Sequence, residues 1–438
     1  MQFVSKQFVF TNYHLKNRSS IFSSSYYPWL IVILCSAFAF YKFVLQVSPS
    51  VMTSDLMRVF HVNGAGLGNL AATYFYAYLI AQLFAGPLLD RYSPRLITGM
   101  AISICALGTM IFANTKILLI AELARTLIGV GAAFATVSYM KMTSLWFRPN
   151  QMALVDGLLA TGAMTGALCG QIPLAYLVAN QGWQQSLIDC SLAGVVLASL
   201  FFLIVRDKNK TTVDSVRTKD SNPVIKIKEF LILLKKRENW MLAFYSGLAF
   251  TPVAVLGGLW GNPFFIEAYH LNLTQAASFT SCIFLGLALG APVFGFFADK
   301  LGRIRVMKLG TAIALISLMI VLFISNLPLW WLGCVLFVFG FGTGAFMSCF
   351  ALGKEMNGFR LTATIVSLIN TGDALLGSFT EPLVGKILDY TWTGQMVNGL
   401  HHFTEGNFRC AFSILPLYML GALICLYMIK NNNEEKLC

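Results

Sequence analysis

Charged residues are scarce in this sequence. Only 11% of its 438 residues are Asp, Glu, Lys or Arg, whereas 57% are hydrophobic. Soluble domains usually carry about 25% charged residues, and a charge is costly where the surrounding medium is hydrocarbon. The shortage of charge therefore excludes an ordinary soluble domain and indicates that most of the chain lies within a bilayer.

The sequence also lacks motifs that are typical of metal sites or of catalytic sites. The ten cysteines form no Cys-x-x-Cys pair, and nearly all fall in apolar runs, where a thiol behaves as a small buried side chain. His401 and His402 are adjacent in a predicted loop, which is poor spacing for a metal site on one helix. We find no phosphate-binding loop and no nucleophile–base arrangement. We therefore expect no metal, no cofactor and no enzymatic activity.

The net charge of +12 has a topological explanation. No basic patch interleaved with aromatic residues occurs outside the apolar runs, so we expect no nucleic-acid partner. Instead, Lys and Arg in loops orient transmembrane helices toward the cytoplasm. If both termini are cytoplasmic, 25 of the 31 basic residues lie in segments on the cytoplasmic side. The other six are Lys42, Arg58, Lys116, Arg125, Lys386 and Arg409.

Twelve apolar runs are long enough to cross a bilayer as helices, which takes roughly 20 residues each. The sequence thus predicts an all-α integral membrane protein with twelve transmembrane helices in two six-helix bundles. The predicted spans are 27–50, 67–89, 96–114, 117–144, 152–179, 184–205, 240–266, 275–298, 306–325, 329–353, 361–388 and 409–430.

The polar stretches divide the chain further. We predict a cytoplasmic N-terminal tail at 1–26, an N-terminal bundle at 27–205 and a C-terminal bundle at 239–430, with a short C-terminal tail at 431–438. The charged segment 206–238 between the bundles is predicted to be a cytoplasmic linker. Its second part, about 224–238, has the pattern of an amphipathic helix on the membrane surface.

An internal repeat supports this division. His61-Val62-Asn63 recurs as His270-Leu271-Asn272, and the segment 86–91 recurs as 295–300. Both pairs have the same offset, since 270 − 61 = 209 and 299 − 90 = 209. Repeats of this kind are typical of transporters built from duplicated halves.

Over about residues 27–430 the chain resembles the major facilitator superfamily. The family's loop motif between spans 2 and 3 is matched by Gly86, Leu88, Asp90, Arg91 and Arg95, with Ser93 where Gly is usual. The second copy of this motif, between spans 8 and 9, is matched by Gly295, Asp299, Lys300, Gly302, Arg303 and Arg305. The family's span 4 motif is matched by Arg125, Gly129, Gly131, Ala132 and Ala133. The resemblance implies that spans 1, 4, 7 and 10 line a central cavity and that spans 2, 5, 8 and 11 flank it.

The resemblance also implies a gate at the cytoplasmic side. A carboxylate is favoured at a helix N-terminus, and in the family the partner of the Asp90 carboxylate is the start of span 11, here near Leu361. Arg91 and Arg95 would then bridge to acids of the opposite bundle. The predicted gating residues are Asp90, Arg91, Arg95, Asp299, Lys300 and Arg303.

Polar residues at bilayer depth are functional candidates by default. Those predicted to contact solute are Lys42, Gln46, Tyr41, Arg125, Trp260, Asn262 and Asp373. Glu122 and Asp373 are assigned to proton coupling, since a carboxyl group that leaves water binds a proton more readily. Structural alternatives remain open: Glu122 and Arg125 could form an ion pair that only fixes span 4, and Asp189 could pair with Lys42 or Arg125. Glu381, two turns after Asp373, receives no role.

The solute class follows from these charges. Phosphate recognition needs dense, preferably bidentate positive charge, and span 7 contains no Lys or Arg, which argues against an organophosphate. Isolated charges of both signs suit an amino acid, a short peptide or a carboxylate, moved by proton symport. We predict a monomer in a bacterial inner membrane. The alternatives are a solute sensor with a transporter fold and a facilitative nucleoside or organic-anion carrier.

Overall fold

The computed structural model describes residues 26–147, 151–207, 233–357, 362–397 and 399–429, apart from the side chains of 90, 152–154, 156, 362 and 363. The predicted terminal tails and most of the predicted linker therefore lie outside the described residues. So do the side chain of Asp90 and residue Leu361.

Within the described residues, twelve long helical segments, α1–α12, follow one another along the chain. They are α1 (Tyr27–Val51), α2 (Gly64–Arg91), α3 (Pro94–Asn114), α4 (Leu118–Trp146), α5 (Met152–Cys169 and Ile172–Gln181), α6 (Trp183–Ile204), α7 (Arg237–Tyr269), α8 (Leu273–Leu301), α9 (Arg303–Phe323), α10 (Leu329–Asn357), α11 (Thr362–Thr391) and α12 (Glu405–Met428).

Eleven of these segments, within the described residues, are long and apolar enough to span a membrane. The twelfth, α11, has 30 residues but is more polar, because it carries Asp373 and Glu381 in its interior. Its length still exceeds the roughly 20 residues that a span needs. The predicted span at 361–388 is therefore a helix of spanning length whose polarity sets it apart.

The segments expected to line the cavity are interrupted. A 3-10 turn at Ser48–Val51 ends α1, another at Gly344–Met347 divides α10, and α4 breaks at Ala133. In α7 a π-helical turn occupies Leu256–Trp260, within the Gly-rich stretch. Such turns are frequent at functional sites and leave backbone groups free for other partners.

The repeated sequence motif forms the same turn twice. His61 and His270 both adopt the left-handed conformation, each with φ 51°. Two residues later an Asn side chain caps the next helix: Asn63 accepts a hydrogen bond from the Gly66 N–H at 2.9 Å, and Asn272 accepts one from the Gln275 N–H at 2.9 Å. These turns begin α2 and α8, so the 209-residue offset is also a structural repeat.

The two halves meet where α2 packs on α11 and where α5 packs on α8. The first and last helices of the N-terminal bundle begin and end side by side. The Tyr27 hydroxyl at the start of α1 contacts both the Ile204 carbonyl (3.1 Å) and the Arg206 N–H (2.8 Å) at the end of α6. The end of the bundle that contains Tyr27 and Arg206 is called the inner face below, and the opposite end the outer face. A two-stranded hairpin, β1 (Met396–Val397) and β2 (Leu400–His401), lies at the outer face.

Glycine contacts show which face is closed. A Cβ on Gly64 would lie 2.8 Å from the Gly385 carbonyl oxygen, and one on Gly68 would lie 2.5 Å from the Glu381 carbonyl oxygen. At the inner face, a Cβ on the motif residues Gly86 or Gly295 would meet no atom of the described residues within 4 Å. The bundles are thus in close contact at the outer face. No such contact is made at Gly86 among the described residues in this conformation.

Candidate functional site

A cavity of about 350 Å³ lies between the bundles. Its walls combine a few polar side chains with many aromatic and Met side chains, which is the usual composition of small-molecule sites. The lining extends to Lys354, within one turn of the end of α10 at the inner face. The polar members are Lys42, Gln46, Tyr74, Tyr78, Thr136, Lys354, Asn370 and Asp373.

Lys42 lies in the N-terminal wall of this cavity. Its side chain is only 6% exposed, and its Nζ lies 4.4 Å from the ring centroid of Phe43 and 4.7 Å from that of Tyr78. Among the described residues no carboxylate oxygen lies within 4 Å of this nitrogen. Aromatic faces stabilise a cation without neutralising it, so the ammonium group retains its capacity to bind an anion.

Asp373 lies in the opposite wall, on α11. One oxygen of its carboxylate accepts a hydrogen bond from the Ser246 hydroxyl on α7. Lys42 and Asp373 thus line the same cavity from opposite bundles. Gln46, beside Lys42 on α1, accepts a hydrogen bond from the Tyr74 hydroxyl at 3.4 Å. Three predicted site residues, Lys42, Gln46 and Asp373, are therefore brought together in one cavity.

Tyr41 and Arg125 do not line the cavity. Tyr41 is buried within the N-terminal bundle, where its ring fills the space beside Gly194 on α6. Arg125 is 1% exposed and donates hydrogen bonds to the carbonyls of Leu45 (3.0 Å) and Ala71 (3.4 Å). Its guanidinium carbon lies 5.2 Å from the ring centroid of Tyr74, so Tyr74 separates it from the cavity.

Trp260 and Asn262 lie in the closed outer half, on and after the π turn of α7. Asn262 is fully buried and donates to the Ser50 carbonyl (3.1 Å) and the Gln171 side chain (2.9 Å). Gln171 in turn donates to the Ser50 hydroxyl (2.9 Å) and to the Gly257 carbonyl (2.7 Å) in the π turn. These three side chains form a buried polar network across the two bundles. In this conformation Asn262 has protein partners where a solute contact was predicted.

Glu122 lies away from the cavity. It is partly exposed, and its carboxylate accepts a hydrogen bond from the Asn69 side chain at 3.0 Å. No ion pair between Glu122 and Arg125 within 4 Å is present among the described residues, so the structural alternative of such a pair is not seen in this conformation. Asp189 also has local partners, accepting hydrogen bonds from Gln181 (2.6 Å) and Gln185 (3.0 Å).

Sequence reasoning left out several residues of this region. Tyr74 and Tyr78 were visible only as two of several aromatic residues in span 2, and their place in the cavity depends on helix rotation. Lys354 was assigned to topology, although it lines the inner end of the cavity. Glu381 is recognisable in the sequence as an acid in an apolar run. It is 2% exposed, and one of its carboxylate oxygens has no hydrogen-bond partner among the described residues.

A carboxylate joins the two bundles at the outer face. The two oxygens of Asp389, near the end of α11, accept hydrogen bonds from the Gly64 N–H (2.9 Å) and the Ala65 N–H (2.7 Å). These are the first peptide groups of α2, where a helix favours negative charge. His401 stacks on Trp392 at 3.8 Å and places Nδ1 3.5 Å from Asp389.

The predicted gating residues at the inner face contact their own bundles. Arg95 donates to the Phe202 carbonyl and, through its N–H, to Asp207 at 3.3 Å. Arg303 contacts Asp299 (3.1 Å) and Glu355 (2.7 Å), all in the C-terminal half.

Arg91 and Lys300 contact aromatic rings in their own bundles. Arg91 lies over Tyr92 and Lys300 over Phe296, at 5.6 and 4.2 Å from the ring centroids. Within the part of the chain that the structure describes, these side chains show no contact between the bundles, and their gating role stays a prediction.

Comparison with known proteins places this architecture among transporters. The sequence model of the Major Facilitator Superfamily matches residues 19–382. The uncharacterized transporter YybO of Bacillus subtilis (strain 168) is 25% identical over 295 residues, which cover 62% of this chain and 66% of that protein. This chain thus spans slightly less than two thirds of that relative.

Two further proteins are similar over more of their length. The probable L-galactonate transporter of Escherichia coli (strain K12) is 25% identical over 370 residues, covering 78% of this chain and 79% of that protein. A bacterial homolog to the human lysosomal transporter Spinster, solved in an inward-facing and occupied conformation, superimposes with a TM-score of 0.74 at 14% identity. That superposition covers 92% of this chain and 97% of the other, and it shows a shared fold.

Proposed function

We propose a solute and a mechanism for this chain, which belongs to the Major Facilitator Superfamily and is a membrane transporter. The solute is a small carboxylate or zwitterion, such as an amino acid or a short peptide, and it is moved by proton-coupled alternating access. The observation that carries the proposal is Lys42, a buried ammonium group with aromatic neighbours and no carboxylate within 4 Å among the described residues. A charge near the membrane centre costs about 2.5–3.5 kcal/mol on insertion scales. A bound anion would offset that cost.

The cavity supports a solute with both polar and apolar parts. The Lys42 ammonium group is placed to bind the solute carboxylate. The Asp373 carboxylate, in the opposite wall, is placed to bind a solute ammonium group or a proton. Aromatic and Met side chains cover the remaining walls, among them Phe250, Phe346 and Met347. The Escherichia coli relative is named for L-galactonate, a sugar acid. That solute has the carboxylate of the proposed solute class but lacks an apolar part.

Alternating access is supported by the asymmetry between the two faces. The outer face is closed by direct bundle contacts at Gly64 and Gly68, whereas the cavity extends toward the inner face. We assign this conformation to the inward-facing state. Gly86 and Gly295 would allow close approach of the helices at the inner face in the opposite state, because small residues let helix backbones meet.

We further place the protein as a monomer in a bacterial inner membrane, with both termini and the linker 206–238 in the cytoplasm. The support is the bias of 25 of the 31 basic residues toward that side. The division into bundles at 27–205 and 239–430 is supported by the structural repeat at His61 and His270.

The test is binding by purified protein. A thermal-shift screen against amino acids, dipeptides, sugar acids, nucleosides and phosphate esters should find stabilisation by a carboxylate-bearing class. A ligand at 100 times its dissociation constant stabilises the folded state by about 2.7 kcal/mol. Lys42→Met should abolish that shift. Lys354→Met, at the inner end of the cavity, serves as the comparison and should reduce it less.

Transport is tested separately in proteoliposomes. A carrier accumulates labelled solute when the lumen is made alkaline relative to the outside, whereas a sensor binds the solute without uptake. Binding of phosphate esters in preference to carboxylates, or normal binding by Lys42→Met, would overturn the site assignment.

A further inference from the structure

We propose that Glu381, which the sequence analysis left without a role, is the proton-binding group that controls closure of the outer face, and that it does so at the contact between α2, α7 and α11. The inference deepens the proposed function, since it rests on proton-coupled alternating access. It differs from the sequence-based assignment, which gave the coupling role to Glu122 and Asp373.

The position of Glu381 is the first argument. Its peptide lies where the bundles touch, because a Cβ on Gly68 of α2 would be 2.5 Å from the Glu381 carbonyl oxygen and 2.7 Å from the Pro382 Cα. The same carbonyl accepts a hydrogen bond from the indole N–H of Trp260 in the π turn of α7, at 3.2 Å. Movement of α2 away from α11 would therefore expose this part of the chain.

The second argument is the state of the carboxyl group. Glu381 is 2% exposed, and its buried Oε2 has no hydrogen-bond partner among the described residues. A buried carboxylate without donors is strongly disfavoured, whereas a carboxylic acid with one unmet acceptor costs far less. Closure of the outer face thus favours the protonated group, and opening to water allows the proton to leave.

Two ionisable groups lie near Glu381, Tyr76 on α2 and Arg125 on α4. Arg125 reaches α2 at the Ala71 carbonyl, about one turn from the Gly68 contact with Glu381. Arg125 is buried, its Nε has no hydrogen-bond partner, and no carboxylate oxygen lies within 4 Å of its guanidinium among the described residues. An ionised Glu381 would attract this guanidinium, and Arg125 contacts Tyr74 in the cavity wall. Arg125 is thus a positioning residue that links the protonation state of Glu381 to the solute cavity.

Glu122 is a weaker candidate on the same criteria. It is partly exposed, it has Asn69 as a hydrogen-bond donor, and it lies away from the bundle contact. Its hydrogen-bond donor Asn69 belongs to the same bundle, so movement between the bundles leaves this contact unchanged. The comparison predicts opposite outcomes for Glu381→Gln and Glu122→Gln.

The experiment measures outer-face opening without solute. Spin labels at positions 116 and 390, on exposed outer-face residues of opposite halves, report the open-to-closed ratio by pulsed EPR in a chain whose native cysteines are replaced. If closure binds one proton, the closed-to-open ratio falls by up to about tenfold for each unit rise in pH across the titration range. Glu381→Gln mimics the protonated carboxyl group, so the outer face of this variant should remain closed at high pH.

Two further variants complete the test. Glu405→Gln is the matched control, because Glu405 is a partly exposed outer-face glutamate paired with Arg409 at 2.6 Å. It should keep the full pH response, and so should Glu122→Gln. If Glu381→Gln does not insert into the membrane, Glu381→Met carries the same expectation, since it is also neutral.

The proposal is overturned if neutral variants at position 381 retain the wild-type pH response. It is also overturned if Glu122→Gln loses that response while Glu381→Gln keeps it. Failure here is distinct from failure of the proposed function, because the distances are measured without solute. A protein that binds no carboxylate but loses its pH response in Glu381→Gln would refute only the solute assignment.

Discussion

Replacing Asp389 with Asn should shift the protein toward an outward-open state. The Asp389 carboxylate is the bridge between the end of α11 and the start of α2, with hydrogen bonds of 2.9 and 2.7 Å from the Gly64 and Ala65 N–H groups. These groups belong to opposite bundles, so the interaction exists only while the outer face is closed. Its loss therefore acts on one of the two states.

The size of the shift follows from the geometry. A carboxylate at a helix N-terminus contributes about 0.3–1 kcal/mol at an exposed site and up to about 2 kcal/mol when partly buried. The Asp389 side chain is 16% exposed, which places it toward the upper end. Asn retains one acceptor oxygen but no charge. A loss of about 1–2 kcal/mol changes the closed-to-open ratio by roughly five- to thirtyfold.

Pulsed EPR between labels at positions 116 and 390 measures this ratio as the balance of short and long distances. The matched control is Asp55→Asn, because Asp55 lies at the same face but pairs within one short helix (Thr53–Phe60), with Arg58 at 2.6 Å. It should leave the distances unchanged. A folded Asp389→Asn protein with the wild-type distance distribution would show that the α2–α11 bridge does not hold the outer face closed.

Two further predictions concern the glycines and the topology. Gly68→Ala should disfavour the outward-closed state, because its Cβ would lie 2.5 Å from the Glu381 carbonyl oxygen, and overpacking costs about 1–3 kcal/mol. In Gly86→Ala the new Cβ would meet no atom of the described residues within 4 Å, so the outward-closed state should stay intact. Solute exchange, measured by counterflow, should slow, because the added methyl group would hinder close approach of the helices at the inner face in the opposite state. Finally, a cysteine at position 215 should resist a membrane-impermeant maleimide added to intact cells, and efficient labelling would contradict the cytoplasmic placement of the linker.

The fold could be predicted from the sequence because its determinants are local. Runs of apolar residues specify membrane helices, since a helix satisfies its own backbone hydrogen bonds in hydrocarbon. The motifs around Asp90 and Asp299 and the 209-residue repeat led to the superfamily, and the family match over residues 19–382 confirms both the family and the twelve-helix fold class. The non-enzymatic character is confirmed by the transporters among the relatives.

The candidate site could be predicted only in part. Lys42, Gln46 and Asp373 line the cavity, as polar residues in apolar runs suggested, and their functional roles remain predictions. Tyr41 and Arg125 occupy the same kinds of helices but point into their own bundle. The sequence carries no signal for this difference, because adjacent residues of a helix point about 100° apart, and which direction faces the cavity depends on how the helix packs.

Composition, charge bias and spacing by themselves determined that this chain is a duplicated set of membrane helices belonging to a transporter family. Tertiary structure alone decided which face is closed and which side chains close it. The bridge from Asp389 to Gly64 and Ala65 joins positions more than 300 residues apart (389 − 65 = 324). Likewise, Glu381 is distinguished from Glu122 only by what packs around it. Helix formation depends on neighbours along the chain, whereas burial and partner choice depend on helices from the other half.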